Sequence, residues 1–196
     1  ALERRGFVSR LVAAAAAIVA GVPSRAVSQS PARSSASPEA GTKRSPVLHE
    51  QDRWLDSLTG MHRQVYDIVT PAGTIGIAFA RNFLTANAEG YGLTDADSSV
   101  VVSFRHSAVY YASGDAMWEK FKFGESVQPE GTQAKNPATR NTELALITSL
   151  QSGGVVFTVC GMALRRRARE AAQRAGTSPE TMLEQWRAGL IPGVVE

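Results

Sequence analysis

The sequence predicts an α/β fold in three layers, α/β/α, around a mainly parallel sheet. Three apolar, β-prone segments lie at residues 64–69, 99–104 and 155–159, and segments with helical periodicity separate them. Strands that alternate with helices in this way are typical of a parallel sheet with helices on both faces. Right-handed crossovers follow from that arrangement.

The first half of the pattern rests on periodicity and turn residues. The strand 64–69 ends at a turn signal that contains Pro71 and Gly73. The next segment, 74–89, is predicted to be helical because apolar or small residues recur at helical spacing. These residues are Ile75, Phe79, Phe83 and Ala86. The strand 99–104 is a nearly continuous apolar run, as expected of a strand covered on both faces.

The middle of the domain is predicted to contain two helices separated by a long loop. Asp115 is placed to cap a helix that runs to residue 121. Residues 122–138 are rich in Gly, Pro, Gln and Asn, so they are predicted to be a loop. Asn141 is predicted to cap the next helix.

The last part of the chain is predicted to be a strand followed by two helices. Cys160 stands at the C-terminal end of the strand 155–159, directly before a helix over 161–175. That helix has one apolar face and one face rich in arginine. Ser178 and Pro179 are typical of the start of a further helix.

Residues 1–28 have the layout of a twin-arginine signal peptide. The pair Arg4-Arg5 precedes an uncharged apolar run over 11–22, and a stretch of small residues follows. The apolar run is shorter than the roughly 20 residues that span a bilayer, so no stable membrane anchor is predicted. The chain is therefore expected to be exported to the periplasm.

Two further segments follow the predicted signal. Residues 29–45 are dominated by Ser, Ala, Pro and Thr, a composition that buries too little apolar surface to fold, so they are predicted to be a flexible linker. Residues 46–196 have a length typical of one compact domain.

The basic character of the chain is largely a property of the signal peptide. The full chain has 21 basic and 18 acidic residues. Removing residues 1–28 takes away Arg4, Arg5, Arg10, Arg25 and Glu3, which leaves 17 basic and 17 acidic residues. With no net charge on the remaining chain, nucleic acid is not a predicted partner.

The sequence lacks the motifs of several functional classes. The sequence has no G-x-G-x-x-G segment and no Walker A loop, so no nucleotide cofactor is predicted. It has no G-x-S-x-G nucleophile elbow. One cysteine and three scattered histidines provide no metal-ligand spacing, so no metal site is predicted either.

Cys160 is the candidate catalytic residue. Its predicted position at a helix N-terminus favours the thiolate, because the helix dipole and the free amide groups attract an anion. A thiolate there can attack sulfur or accept it as a persulfide. The alternative is that Cys160 is a small apolar residue that ends a core strand, since free cysteine is often buried.

Three other residues are candidates for roles at the same site. Arg105 and His106 follow the strand 99–104, and the C-terminal ends of parallel strands meet at one edge of the sheet. His106 is a candidate for proton transfer and Arg105 for binding an anionic group. Arg140, in a polar segment that precedes a helix, is a further candidate for substrate binding.

Five segments resemble the DsrE/DsrF-like family, and in particular its exported branch with twin-arginine signals. The segments are VYDI (65–68), AFARNFL (78–84), VVVSFRH (100–106), VVFTVCGMAL (155–164) and IPGV (191–194). The resemblance implies a three-layer α/β/α fold and assembly into homo- or hetero-oligomers. Family members usually continue with another strand and helix, so it also implies a domain truncated at the C-terminus.

The resemblance also suggests a function. In sulfur-oxidising members of the family, the cysteine that matches Cys160 relays sulfur as a persulfide. The chain is therefore expected to be a sulfur carrier or a sulfurtransferase-like protein, with a sulfur-carrier or redox protein as partner. The alternative is a non-catalytic binding or accessory module with a structural cysteine. A flavin-type binder is a third interpretation, by analogy of fold alone.

Overall fold

The computed structural model describes residues 49–128 and 135–196. The described residues belong to one compact unit, Val47–Glu196. The predicted signal peptide and linker lie outside the described residues. Among those that are described, none of the helices combines the length and the apolar character needed to cross a bilayer.

The described elements alternate between strands and helices, which confirms the predicted α/β class. In chain order they are a 3-10 helix (Glu50–Ser57), β1 (His62–Ile68), a 3-10 helix (Pro71–Thr74), α1 (Ile75–Tyr91), a 3-10 helix (Asp95–Asp97), β2 (Ser98–Phe104), a 3-10 helix (His106–Ala112), α2 (Asp115–Phe121), α3 (Phe123–Ser126), α4 (Leu144–Ser152), β3 (Val156–Val159), α5 (Gly161–Ala175) and α6 (Pro179–Ala188).

The sheet has three parallel strands in the order β1-β2-β3, as the alternation of strands and helices predicts. Ile68 of β1 lies beside Phe104 of β2, which in turn lies beside Val159 of β3. All three strands therefore end at the same edge of the sheet. Beyond β3, Val195 makes a parallel bridge with Thr158.

One face of the sheet packs against the hydrophobic core. Alternate strand residues point into this core, as the two-residue period of a strand requires. They are Ile68, Val100, Val102, Phe104, Phe157 and Val159. On the opposite face, β1 exposes Val65 to solvent, and Arg63 and Asp67 lie on the same face of the strand.

The predicted helix over 74–89 is confirmed as α1, but of the residues whose spacing indicated it only Phe83 packs against the core, and it is partly buried. Ile77, Ala80 and Leu84 are buried. Ile75 and Phe79 remain 58% and 48% exposed, although both are large and apolar. The helix thus has a second apolar stripe that the described residues cover only in part.

The predicted loop over 122–138 is wrong in its first part, where α3 forms. Phe123 is almost fully buried and its ring lies 4.9 Å from those of both Tyr110 and Trp186. These contacts outweigh the polar composition of the neighbouring residues. The helix cap predicted at Asp115 is also wrong, because Gly114 precedes α2 and the Asp115 carboxylate accepts a hydrogen bond from the Asn141 amide at 3.0 Å.

The helix cap predicted at Asn141 is wrong, because Glu143 precedes α4, and Asn141 is instead a structural residue at the turn that leads into this helix. Its Oδ1 accepts a hydrogen bond from the Glu143 amide at 3.0 Å. Its Nδ2 donates to the carbonyl oxygens of Tyr111 at 2.9 Å and Ser113 at 2.8 Å. The side chain is buried, so these bonds fix the start of α4 against the end of the preceding 3-10 helix.

Candidate functional site

An open cavity of about 920 Å³ lies beyond the C-terminal ends of the three strands. Residues from the ends of β1, β2 and β3 meet there because the strands are parallel. The cavity is lined by Val69, Thr70, Arg105, His106, Cys160, Met162, Ala163, Arg165, Arg166, Arg167 and Arg169. Three of the four candidate residues, Cys160, Arg105 and His106, therefore lie together.

Cys160 is held by backbone hydrogen bonds on both sides. Its amide donates to the carbonyl oxygen of Phe104 at 2.9 Å, which continues the sheet ladder. Its carbonyl oxygen accepts from the Leu164 amide at 2.9 Å, which forms the first turn of α5. The residue is partly exposed and belongs to the lining of the cavity. Cys160 thus lies at the cavity and is not one of the buried core residues.

The lining of the cavity is strongly basic. Its described residues include five arginines and no carboxylate. Two of these arginines, Arg166 and Arg167, form ion pairs with Glu170, and Arg165 lies 3.8 Å from Glu196. Both acids lie outside the lining. The N-terminus of α5 adds a partial positive charge at Cys160, so the arrangement favours anions at this position.

Arg105 is anchored to Asp67 across the neighbouring strand ends. Its Nε donates to Oδ1 at 2.6 Å and its Nη2 donates to Oδ2. These hydrogen bonds and the opposite charge of Asp67 raise the pKa of Arg105, and the negative charge of a Cys160 thiolate contributes a smaller attraction in the same direction. Asp67 therefore orients a cation beside the thiol.

His106 has an unusual backbone conformation. Its φ is +48°, a left-handed value that non-glycine residues seldom adopt. Hydrogen bonds on either side enforce it: Arg105 donates its amide to Ile68 at 2.8 Å, and Ser107 donates to Val69 at 3.2 Å. The exposed imidazole lines the cavity, and its Nδ1 lies 3.4 Å from the Ser107 hydroxyl. Left-handed residues at such positions occur frequently in functional sites.

Arg140 lies elsewhere. It lines a separate cavity of about 590 Å³ together with Asp115 and Asn141, next to the start of α4. The structure therefore does not bring Arg140 to the cavity that contains Cys160.

Most of the other lining residues were not candidates from the sequence, Met162 and Arg169 among them. Met162 and Arg169 lie on the same face of α5 as Arg165 and Arg166, because their spacing is three, four and seven residues. Met162 is 79% exposed near Cys160. This spacing shows from the sequence that the four residues share one face of the helix. A row of arginines on a helix is usually a solvated face, however, and the sequence does not show which helix face lines a cavity.

The Asp67–Arg105 pair leads to a pH-dependent prediction. Hydrogen bonds from Arg105 lower the pKa of Asp67 below its ordinary value of 3.8. A lowered folded-state pKa means that the pair stabilises the fold above pH 3.8, and that this contribution is lost as the pH falls through the folded-state pKa. In Arg105→Met, we expect the Asp67 pKa to rise toward 3.8 in a carboxyl-carbon NMR titration.

Asp97 provides the internal control for that titration. Its pKa is lowered by hydrogen bonds from Thr94 and involves no arginine. It should titrate identically in both proteins. An unchanged Asp67 pKa in Arg105→Met would contradict the assigned cause.

No group of three His, Cys, Asp or Glu residues within 49–128 and 135–196 is arranged to hold a metal ion. Comparisons of the chain with protein-family models, with curated proteins and with solved structures gave no match.

Proposed function

We propose that the chain is an exported sulfur carrier that accepts sulfane sulfur on Cys160 as a persulfide and passes it to a partner protein. The observation that carries this proposal is a partly exposed, lone cysteine at a helix N-terminus in an open cavity lined by arginines. Such surroundings attract anionic sulfur donors, and Cys160 can react with them through its thiolate, the nucleophilic form of cysteine.

The loading step is a thiol-persulfide exchange that needs no external oxidant. The Cys160 thiolate attacks the outer sulfur of a donor persulfide, R–S–SH. A new S–S bond forms to Cys160 while the bond between the two donor sulfurs breaks. The donor leaves as a thiolate and takes its electron pair with it, and Cys160 becomes Cys160–S–SH. In the release step, an acceptor thiolate attacks the outer sulfur and Cys160 leaves as the thiolate.

The neighbouring residues have roles that follow from their position. Arg105, fixed by Asp67, stabilises the negative charge on Cys160 before loading and after release. The arginines of α5 attract anionic persulfides into the cavity. His106 can accept or return the proton of the persulfide, because a neutral imidazole has one nitrogen that accepts a proton and one that donates. None of these roles requires a metal or an organic cofactor.

The resemblance to the DsrE/DsrF-like family supports sulfur as the cargo. The part of the resemblance that includes the cysteine is the segment 155–164, in which Cys160 follows an apolar strand and precedes a helix. Val69 and Met162, both exposed and apolar, lie at the cavity and supply contact area for a donor or acceptor protein. The partner we expect is a thiol- or persulfide-bearing protein of the same compartment.

Loading with a low-molecular-weight persulfide is the direct test. After incubation with glutathione persulfide and removal of excess reagent, the intact chain should gain the mass of one sulfur atom. Peptide mapping should place that atom on Cys160, and a thiol acceptor should remove it. Cys160→Ser should take up none, because serine forms no persulfide. A wild-type chain that stays unloaded while its thiol reacts with iodoacetamide would refute the proposal.

A second candidate function is an accessory module that binds an anionic ligand in the same cavity without covalent chemistry. The five arginines in the lining favour it, because they attract an anion whether or not the thiol reacts. Cys160→Ser separates the two functions. A pure binding module would keep its affinity for an anionic ligand in this variant, and the wild-type chain would show no transferable sulfur.

A further inference from the structure

Within the described residues, the outer edge of β1 pairs with no other strand, and its side chains have a self-complementary pattern. Among the described residues, β2 is the only strand that pairs with β1, so the opposite side of β1 is open. Exposed sheet edges of this kind are templates for pairing with another chain. From this edge we infer that two copies of the chain pair antiparallel through β1 around a two-fold axis at Val65.

Three residues of β1 direct their backbone amide and carbonyl groups away from β2. Ile68 accepts from the Arg105 amide of the β2 side at 2.8 Å, and successive residues of a strand direct their polar groups to opposite sides. Arg63, Val65 and Asp67 therefore direct their amide and carbonyl groups to the open edge. The Val65 carbonyl is bonded to the Gln64 side-chain amide at 3.1 Å, which a partner strand can replace.

The side chains select one register. With the two-fold axis at Val65, Arg63 of each copy lies opposite Asp67 of the other, and the two Val65 side chains face each other. Opposite charges in directly facing positions stabilise a strand pair, and like charges destabilise it. Moving the axis by two residues would place Arg63 opposite Arg63, or Asp67 opposite Asp67. Moving it by one residue would place both charges opposite apolar side chains.

The same register pairs all the outward backbone groups. Val65 faces Val65, and Arg63 faces Asp67 on both sides of the axis. In an antiparallel ladder, two facing residues whose amide and carbonyl groups point toward each other form two hydrogen bonds, one from each amide to the other carbonyl. The three outward residues of each copy are then fully paired with those of the other. The Asp67 carboxylate has lone pairs left for Arg63 of the second copy while it keeps Arg105.

The uncovered stripe of α1 lies at the same edge. Tyr66 donates its hydroxyl to the carbonyl oxygen of Phe79 at 3.0 Å, which places the N-terminal half of α1 beside the middle of β1. Phe79 and Ile75 are about half exposed there. Across the two-fold axis, the two copies of α1 run antiparallel and cover these side chains. A second copy of the chain would thus cover the apolar stripe of α1 and pair with the charged edge of β1 at the same time.

Charge reversal and complementation test the axis and the register. In Arg63→Glu, each copy places the new carboxylate opposite Asp67, and in Asp67→Lys each copy places the new ammonium group opposite Arg63. Both variants should raise the dimer dissociation constant by about tenfold or more, since each introduces two like-charge contacts.

A mixture of the two variants should form a heterodimer. The carboxylate introduced in one variant then faces the ammonium group introduced in the other, and the remaining Arg63 faces the remaining Asp67. Opposite charges are thereby restored on both sides of the axis. Sedimentation velocity of the full chain measures the wild type, each variant and the mixture.

Three controls keep the result interpretable. Circular dichroism shows whether each variant is folded. If Asp67→Lys unfolds through loss of the Arg105 pair, Phe79→Glu tests the same edge without changing that pair. Glu119→Lys, an exposed charge reversal on α2, should leave the dimer unaffected. A monomeric wild-type chain, a dimer indifferent to Arg63→Glu, or a mixture that stays monomeric would each overturn the inference. The proposed chemistry at Cys160 does not depend on the outcome.

Discussion

Gly60→Ala is expected to destabilise the fold by about 3 kcal/mol. An added Cβ at this position would lie 2.4 Å from the Ser98 carbonyl carbon and 2.5 Å from the Ser99 amide nitrogen. Both atoms belong to the backbone at the start of β2, so no side-chain rotation relieves the overlap. The loop before β1 would have to move away and lose the bond between the Gly60 amide and the Ser99 hydroxyl at 2.7 Å.

Gly90→Ala is the matched control for this prediction. Gly90 lies in α1, and an added Cβ there meets no atom within 4 Å. Alanine favours the helix over glycine, so this variant should gain up to about 1 kcal/mol. Urea denaturation followed by circular dichroism gives both values. Equal stabilities for the two variants would show that the close approach at Gly60 is absent in solution.

Trp118→Ala should lower the free energy of unfolding by about 3–5 kcal/mol, which is a large fraction of the stability of a single domain. The side chain is fully buried, and its ring lies 5.2 Å from that of Tyr111. Its Nε1 donates to the carbonyl oxygen of Tyr110 at 3.1 Å. Truncation removes both the packing and this hydrogen bond, and it leaves a cavity in the core.

Comparison of two phenylalanine variants isolates the hydrogen bond. Trp186 is 2% exposed, but within the described part of the chain its Nε1 has no hydrogen-bond partner. Trp186→Phe should therefore cost less than Trp118→Phe, with a difference of about 1 kcal/mol. Circular dichroism is the readout, because each variant removes a fluorescent residue. If Trp186→Phe costs as much or more, the bond to Tyr110 contributes no stability.

The main strands and helices of the fold follow from the sequence because their signals are local. The three apolar runs correspond to β1, β2 and β3, and α5 begins and ends at the predicted residues. Ser178 caps α6 by accepting from the Thr181 amide at 3.1 Å, as its position before Pro179 predicts. Phe123 was missed because a single aromatic residue in a polar segment has no periodicity, although four aromatic rings surround it.

The composition of the candidate site is predictable only in part. Parallel strands end at one edge, so the sequence alone predicts that Cys160, Arg105 and His106 lie near each other. The left-handed backbone of His106 depends on hydrogen bonds to the β1 side that have no local signal. Arg140 lies three residues before Glu143, at the start of α4, and lines the separate cavity of Asp115 and Asn141. Its sequence position does not follow a strand, so no local signal shows which cavity it lines.

The bridge made by Val195 determines how far an assembly can grow. Val159 donates its amide to Val195 at 2.8 Å, and Val195 donates to Phe157 at 3.0 Å, so the far border of the sheet is already occupied. Within the described part of the chain, Val195 thus pairs with the outer edge of β3, whereas the outer edge of β1 has no strand beside it. The inferred pairing about a two-fold axis uses the β1 edge of both molecules, so this contact by itself closes at two copies and does not propagate into a ribbon.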